Sequence, residues 1–371
     1  MVGGSSVNAK DDAVATLSFD QAIFTSIRSP MGEGYRIVAA SKGVTPDEKR
    51  EIVQCAPSHG SLSSTLNEAT GMACFTLNGG RQCVFLSRTA GIEHTARGGF
   101  RVFTHVCLFD PPVFRRLSCD LFAIEDALRE CFDDQQMKKP PMCLEQGRIA
   151  LNETRAERGA APSDRDLGHA ARILAAVLAE RRLLVVGARC ARDVLSAVVG
   201  ALPAYTRRRW SLSYGLKYSP GRRFDLMFTE ATNIEQTRIL RDHDVTAINW
   251  SDQPLQVDSP YEDWVSFVER GWKTGRTASA SQICAGLTET CDPVVLACLA
   301  RLSEDLEHVA EADRSLLREI ERRHAGESVS IELHQRMLAD LRKATERRRW
   351  QIDVEEQADA EAEEDAILGL A

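Results

Sequence analysis

The sequence predicts a mixed α+β / α/β protein: an N-terminal α+β sheet domain, a small middle α/β domain, and a C-terminal helical region ending in an acidic tail. Three observations carry this. Five alternating strand-like segments crowd between Phe19 and Asp110, the period-2 signature of strands. Leu183-Leu184-Val185-Val186 is apolar at every position, as a strand covered on both faces would be. From Ser259 to Trp350 the pattern is helical only.

A chain of 371 residues is long for one core, so more than one domain is expected. The divisions fall at 1–18 (a flexible lead-in), 19–145, 160–255, 256–350 and 351–371. The polar stretch Asn152–Ser163, rich in alanine and glycine, marks the first boundary.

In the N-terminal domain the strands are Gln21–Arg28, Gly34–Ser41, Met72–Leu77, Gln82–Arg88 and Arg101–Phe109. Thr45-Pro46-Asp47-Glu48 starts a helix: threonine accepts from the first turn, proline fits the first helical position, and Glu48 reaches back to the cap. Asn78-Gly79, between two strands, predicts a tight hairpin with positive φ angles. Asp110-Pro111-Pro112 ends the strands, and Leu121, Ile124, Leu128 and Cys131 follow a 3.6 period. Two helices after a set of strands suggest a sheet covered on one side.

The middle domain alternates. Leu167–Glu180 and Arg192–Leu202 read as helices about the strand Arg182–Gly187, and strands follow at Trp210–Lys217, Phe224–Thr229 and Thr246–Trp250. Ser259-Pro260-Tyr261-Glu262 repeats the cap, proline, glutamate pattern. The stripes Val295, Leu299, Leu302, Leu306 and Leu333, Met337, Leu341 predict two core-facing helices.

The net charge of −8 resides in the terminus: Asp353 to Asp365 holds eight acids and no base. That segment is expected to be a solvated, disordered tail. Together with the basic run Arg342–Arg349 it reads either as a solvated helix end or as a docking segment. The opening Met1–Ser6 has no basic stretch followed by an apolar run, so it does not read as a signal peptide. The most apolar segments, such as Ile173–Ala179, fall far short of the roughly 20 residues of a membrane span. The expectation is a cytoplasmic protein without membrane contact. Its eleven cysteines form no C-x-x-C pair, so buried free thiols are expected. Cys284, Cys291 and Cys298 should be core residues on two helices broken by Asp292-Pro293.

Several stretches invite a chemical reading. Gly187-Ala188-Arg189-Cys190 occupies a strand-to-helix turn but lacks the glycines, lysine and hydroxyl of a phosphate loop, so it reads as structural. Gly32, Gly34 and Tyr35, with Arg97, are candidates for a ligand loop, although glycines between strands commonly mark a turn. His59, His94 and His105 are the candidate catalytic residues, near Cys55, Cys107 and Glu93. No zinc-type spacing and no H-E-x-x-H occurs, so no metal and no cofactor is expected. Arg207, Arg208 and Arg209 precede Trp210, with Tyr214, Lys217, Tyr218, Arg222 and Arg223 beyond. Bases interleaved with aromatics can bind single-stranded nucleic acid, but the same alternation fits a strand with its aromatics packed inward.

Phe24-Thr25-Ser26, Gly32, Gly34-Tyr35-Arg36 and Ala39-Ala40-Ser41-Lys42-Gly43, with Ser87-Arg88, Phe103-Thr104-His105 and Phe109-Asp110, resemble the N-terminal domain of the GTPase-associated protein family. Lys42 stands where a proline is usual. Arg182–Gly187 and Phe224-Asp225-Leu226 are similar to the family's middle domain. The resemblance implies a component of bacterial conflict and signalling systems encoded beside a GTPase. It implies an adaptor or scaffold for protein partners, with the sheet as a contact platform and no catalytic residues to transfer. The alternatives are an enzyme or small-ligand sensor using the first-domain His and Cys residues, and a nucleic-acid binder acting through Arg207–Arg223.

Overall fold

The strands Met72–Phe75, Cys83–Leu86 and Val106–Phe109 are buried at every position, and this dictates the layering. The computed structural model describes residues 16–29, 32–63, 69–93, 98–117, 119–130, 137, 140–150, 161–188, 191–222, 224–230, 245–251, 259–310 and 314–369. Its strands are β1 (Thr16–Ser29), β2 (Gly32–Ala40), β3 (Thr70–Thr76), β4 (Gln82–Ile92), β5 (Phe100–Phe109), β6 (Gly147–Ala150), β7 (Leu183–Val186), β8 (Leu212–Tyr214), β9 (Leu226–Thr229) and β10 (Thr246–Asn249). They form one ten-stranded sheet in the order β10-β7-β9-β8-β3-β4-β5-β1-β2, with β6 on β1.

The first five strands pair antiparallel, whereas β10, β7, β9 and β8 run parallel. The two halves meet where β8 lies antiparallel to β3, Met72 opposite Tyr214 and Cys74 opposite Leu212. The predicted α+β part and α/β part therefore share a continuous sheet. Strand β1 begins at Thr16, inside the segment expected as lead-in, because Thr16–Phe19 pairs with Gly147–Ala150. Four residues with little alternation gave no sequence signal for β6.

Helices α1 (Pro46–Cys55), α2 (Pro111–Arg116), α3 (Leu121–Glu130), α4 (Leu167–Leu178), α5 (Ala191–Gly200) and α6 (Ala204–Arg209) accompany the sheet. After it come α7 (Glu262–Thr274), α8 (Ala278–Gly286), α9 (Pro293–Val309), α10 (Arg314–Arg323) and α11 (Ile331–Gly369). The expectation of a sheet covered on one side is overturned. Met72, Cys74, Val84, Leu86, Cys107 and Phe109 pack with α3, α4 and α5. The alternate residues Ala73, Phe75, Cys83, Phe85, Val106 and Leu108 pack with Ile52 of α1 and with Leu62, Leu216 and Phe224. Each fully buried large side chain, Phe85 and Phe109 among them, contributes about 1.5–3 kcal/mol. Both faces are buried along most of the central strands β3, β4 and β5, while the edge strand β2 keeps exposed and half-buried positions.

Local signals resolve individually. Thr45 and Glu48 form the predicted capping box, Glu48 N to Thr45 Oγ1 at 3.2 Å and Thr45 N to Glu48 Oε2 at 2.8 Å. The β3–β4 hairpin forms, but its positive φ is at Gly80 (+85°) rather than at Asn78-Gly79. Gly80 N donates to Leu77 O at 2.7 Å and Leu77 N to Arg81 O at 2.9 Å, the three-residue loop that places its left-handed residue last. The helix restarts at Asp292-Pro293 as expected, and the Asp292 side chain caps α9 by accepting from Val294 N and Val295 N. Ser259 does not cap α7. Its hydroxyl accepts from Tyr261 N at 3.3 Å and contacts Ala175 O at 3.4 Å, and the helix starts at Glu262. The Tyr261 hydroxyl is drawn to Cys291 O at 2.9 Å, a tertiary contact that outweighs the local pattern.

The α9 stripe divides between two cores: Leu299 joins the main one, and Leu306 joins a satellite with Ile320, Leu338 and Leu341. The acidic segment expected to be disordered instead continues α11 to Gly369, in keeping with its run of alanine and glutamate, both strong helix formers. Cys74, Cys83, Cys107, Cys119 and Cys284 are buried free thiols, but Cys143 is exposed, and Cys291 lies in the link before α9 rather than on a helix. Cys131 and Cys190 lie outside the described residues.

Candidate functional site

Sequence reading singles out loops of the N-terminal domain, and the strand register decides which of them meet. Ser26 on β1 stands opposite Tyr35 on β2, and both reach the residue that follows β4, Glu93. The Tyr35 hydroxyl donates to Glu93 Oε2 at 2.8 Å, and the Ser26 hydroxyl donates to Oε1 at 2.7 Å. Val102 N in turn donates to the Tyr35 hydroxyl at 2.9 Å. Glu93 is buried, so both carboxylate oxygens are matched rather than left unsatisfied. Burial and the adjacent carboxylate push the Tyr35 phenol well up, which keeps it a neutral donor.

Gly32 and Gly34, with φ +124° and +147°, lie within β2 rather than in a loop over a ligand. The His59 ring packs against Gly99, whose carbonyl accepts from Glu93 N at 3.0 Å, and its Nδ1 is buried without a hydrogen-bond partner among the described residues. His94 and Arg97 lie outside the described residues. The structure thus gathers Tyr35, Glu93 and His59 around one segment. Glu93 is its central group, a residue that sequence reading placed only as a neighbour of the histidines.

His105 belongs elsewhere. It sits on β5 next to Cys107, across the sheet from the core that α1 caps. Its Nε2 is 2.7 Å from Gln21 Oε1 and 3.8 Å from Cys107 Sγ. Burial lowers the imidazole to about 4. A nucleophilic cysteine needs a thiol made more acidic by its surroundings. Burial and Glu51 instead raise Cys55, the cysteine of α1 nearest His59 in sequence. These are the properties of neutral packing groups. No group of three or more His, Cys, Asp or Glu among the described residues could hold a metal ion.

The arginine triplet divides by depth. Arg207 is buried, with Nε donating to Leu202 O at 2.7 Å and Nη2 to Gly200 O at 2.8 Å. It closes the end of α5. Arg208 reaches Thr288 O, and exposed Arg209 stacks over the Tyr205 ring at 5.3 Å. Tyr214 is buried, and Trp210 and Tyr218 pack on the cores. Arg223 lies outside the described residues.

One surface feature stands out. Leu333, Leu338 and Leu341 anchor the first turns of α11. Beyond them the helix carries Trp350, 68% exposed, with Ile352 and Val354 also exposed. Trp350 and Val354 are four residues apart and so share a helix face, next to the basic run Arg347–Arg349. The sequence signal was present, a tryptophan in a charged run, but periodicity alone could not show that it stays exposed among the described residues. No helix among the described residues is long and apolar enough to cross a membrane.

Comparison with known families finds that residues 18–142 match GTPase-associated protein 1, N-terminal domain type 2. A search of curated proteins finds no match.

Proposed function

From the match of residues 18–142 to GTPase-associated protein 1, N-terminal domain type 2, we propose that the chain is a non-enzymatic adaptor of a GTPase-linked bacterial conflict or signalling system. It binds a protein partner, a GTPase encoded nearby, through the outer part of α11. The observation that carries this reading is the exposed Trp350, on one face with Val354, on a helix whose fully buried positions among the described residues end at Leu341.

Exposed apolar side chains on a charged helix are stabilised by a covering partner, and tryptophan is prominent among residues that dominate binding energy at interfaces. The flanking arginines suit an acidic rim on that partner. The test is co-purification with the neighbouring GTPase. The wild-type chain should form a stable complex, and Trp350→Ala should weaken it roughly tenfold or more without lowering thermal stability. A chain that stays solitary in the presence of that GTPase would sink the adaptor reading. A complex indifferent to Trp350→Ala would remove α11 as its surface.

A further inference from the structure

Helices α8, α9 and α10 and the first turns of α11 leave between them a cleft of about 350 Å³, within the size range of small-molecule sites. It is separate from the exposed end of α11. Its apolar wall includes Ile283, Leu306, Leu317 and Met337. Its ionisable lining among the described residues consists of Glu307, Glu321, Glu327, His324 and His334, with no lysine or arginine.

Most of that lining is already matched. Glu307 is 3.4 Å from Arg276 Nη1 and accepts from Ser279 at 3.3 Å. Glu327 takes Arg336 at 2.5 Å and His324 at 2.7 Å, and His324 also meets Asp340 at 3.3 Å. Two groups are not. Glu321 has no hydrogen bond or ion pair among the described residues, and partial burial raises its carboxyl despite Arg318. His334 is buried, and its Nδ1 lies 3.0 Å from Ser330 O. That contact requires the proton on Nδ1 and leaves Nε2 as an acceptor. Burial lowers this imidazole, so it stays neutral. The cleft thus joins an apolar wall to a carboxylate and an imidazole lone pair, both acceptors.

We infer that this cleft binds a small organic cation, an ammonium or guanidinium group on an alkyl stem, with the cationic head at Glu321 and His334 and the stem against Leu306, Leu317 and Met337. A bare inorganic cation would leave the apolar wall unused, and an anion would meet three carboxylates.

Isothermal titration of the full chain with agmatine at low salt tests this. Saturable one-to-one binding is expected, with methylguanidine, which lacks the stem, binding more weakly. Glu321→Gln sits at the exposed rim and should leave the fold intact while weakening agmatine roughly tenfold, the value of one charge-assisted hydrogen bond. Leu317→Ser should weaken agmatine but not methylguanidine. No saturable binding would overturn the inference, as would equal affinity in wild type and Glu321→Gln.

Discussion

The Tyr214 hydroxyl donates to the carboxylate of Glu125, tying strand β8 to helix α3 where the two halves of the sheet meet. Glu125 is fully buried. Arg129 Nη2 approaches it at 2.5 Å and Arg192 Nε at 3.2 Å, and Arg192 also reaches Asp126 and lies over the Phe122 ring. A buried carboxylate with two guanidinium partners and a phenol is a satisfied network, and removing its centre leaves two partly buried charges.

Glu125→Ala should therefore destabilise the protein by about 3–5 kcal/mol, and Tyr214→Phe by about 1–2 kcal/mol. Urea denaturation at neutral pH measures both. Burial and Glu125 raise the Tyr214 phenol above its ordinary 10.0. Its contribution is thus complete below pH 10 and is lost as pH climbs through the raised value. Tyr214→Phe should flatten that alkaline loss, and an unchanged alkaline limb would count against the network.

His105 provides an acid-side counterpart. Its folded-state value of about 4 lies below the ordinary 6.5, so the unfolded chain takes up the proton first. Stability from a neutral His105 is fully present above pH 6.5 and drains as pH falls toward 4. In His105→Gln, which can still bond to Gln21, the slope of stability against pH across that window should fall by up to one proton. Parallel curves for wild type and variant would refute it.

The capping box at α1 is coupled to an ion pair. Glu48, buried, caps Thr45 and lies 3.3 Å from Arg81 Nη1, whose Nη2 is 2.7 Å from Asp20 Oδ2. Thr45→Ala should cost about 1 kcal/mol. Glu48→Ala should cost clearly more, since it removes both a cap and a partner of Arg81. Equal losses in thermal melts would show the two functions to be uncoupled.

The thiols should separate by depth. Burial pushes Cys74 and Cys284 up to about 12, whereas Cys143 is exposed. In native alkylation read by mass spectrometry, Cys143 should react before the other described thiols. Cys74, Cys83, Cys107 and Cys284 should react only at the rate of unfolding, so early labelling of Cys107 would contradict its placement in the sheet.

The arginine triplet calls for split substitutions. Arg207→Ala should destabilise by at least about 2 kcal/mol, because it strips a charged donor from two carbonyls. Arg208→Ala/Arg209→Ala leaves that support in place. Retention of single-stranded nucleic acid that depends on salt and on this pair would revive the nucleic-acid reading.

What the sequence determined by itself was mostly local. The positions of Met72–Phe75, Cys83–Leu86 and Leu183–Val186 as strands, the cap at Thr45, the helix restart at Asp292-Pro293 and the apolar stripe of α9 rest on neighbours within a few residues, where periodicity and hydrogen-bond chemistry suffice. The likeness of residues 18–142 to GTPase-associated protein 1, N-terminal domain type 2, was legible in the same way, through short motifs such as Gly32, Gly34 and Tyr35. The tertiary structure decided what depends on distant pairing. Strand β6 exists because β1 has a free edge for it, and α7 starts late because Tyr261 reaches Cys291. Glu93 becomes the hub of Ser26 and Tyr35 only once three strands are in register. The sheet runs unbroken because β8 finds β3 and Tyr214 finds Glu125. Such contacts join residues tens of positions apart, and no local pattern encodes which partner each buried polar group will find.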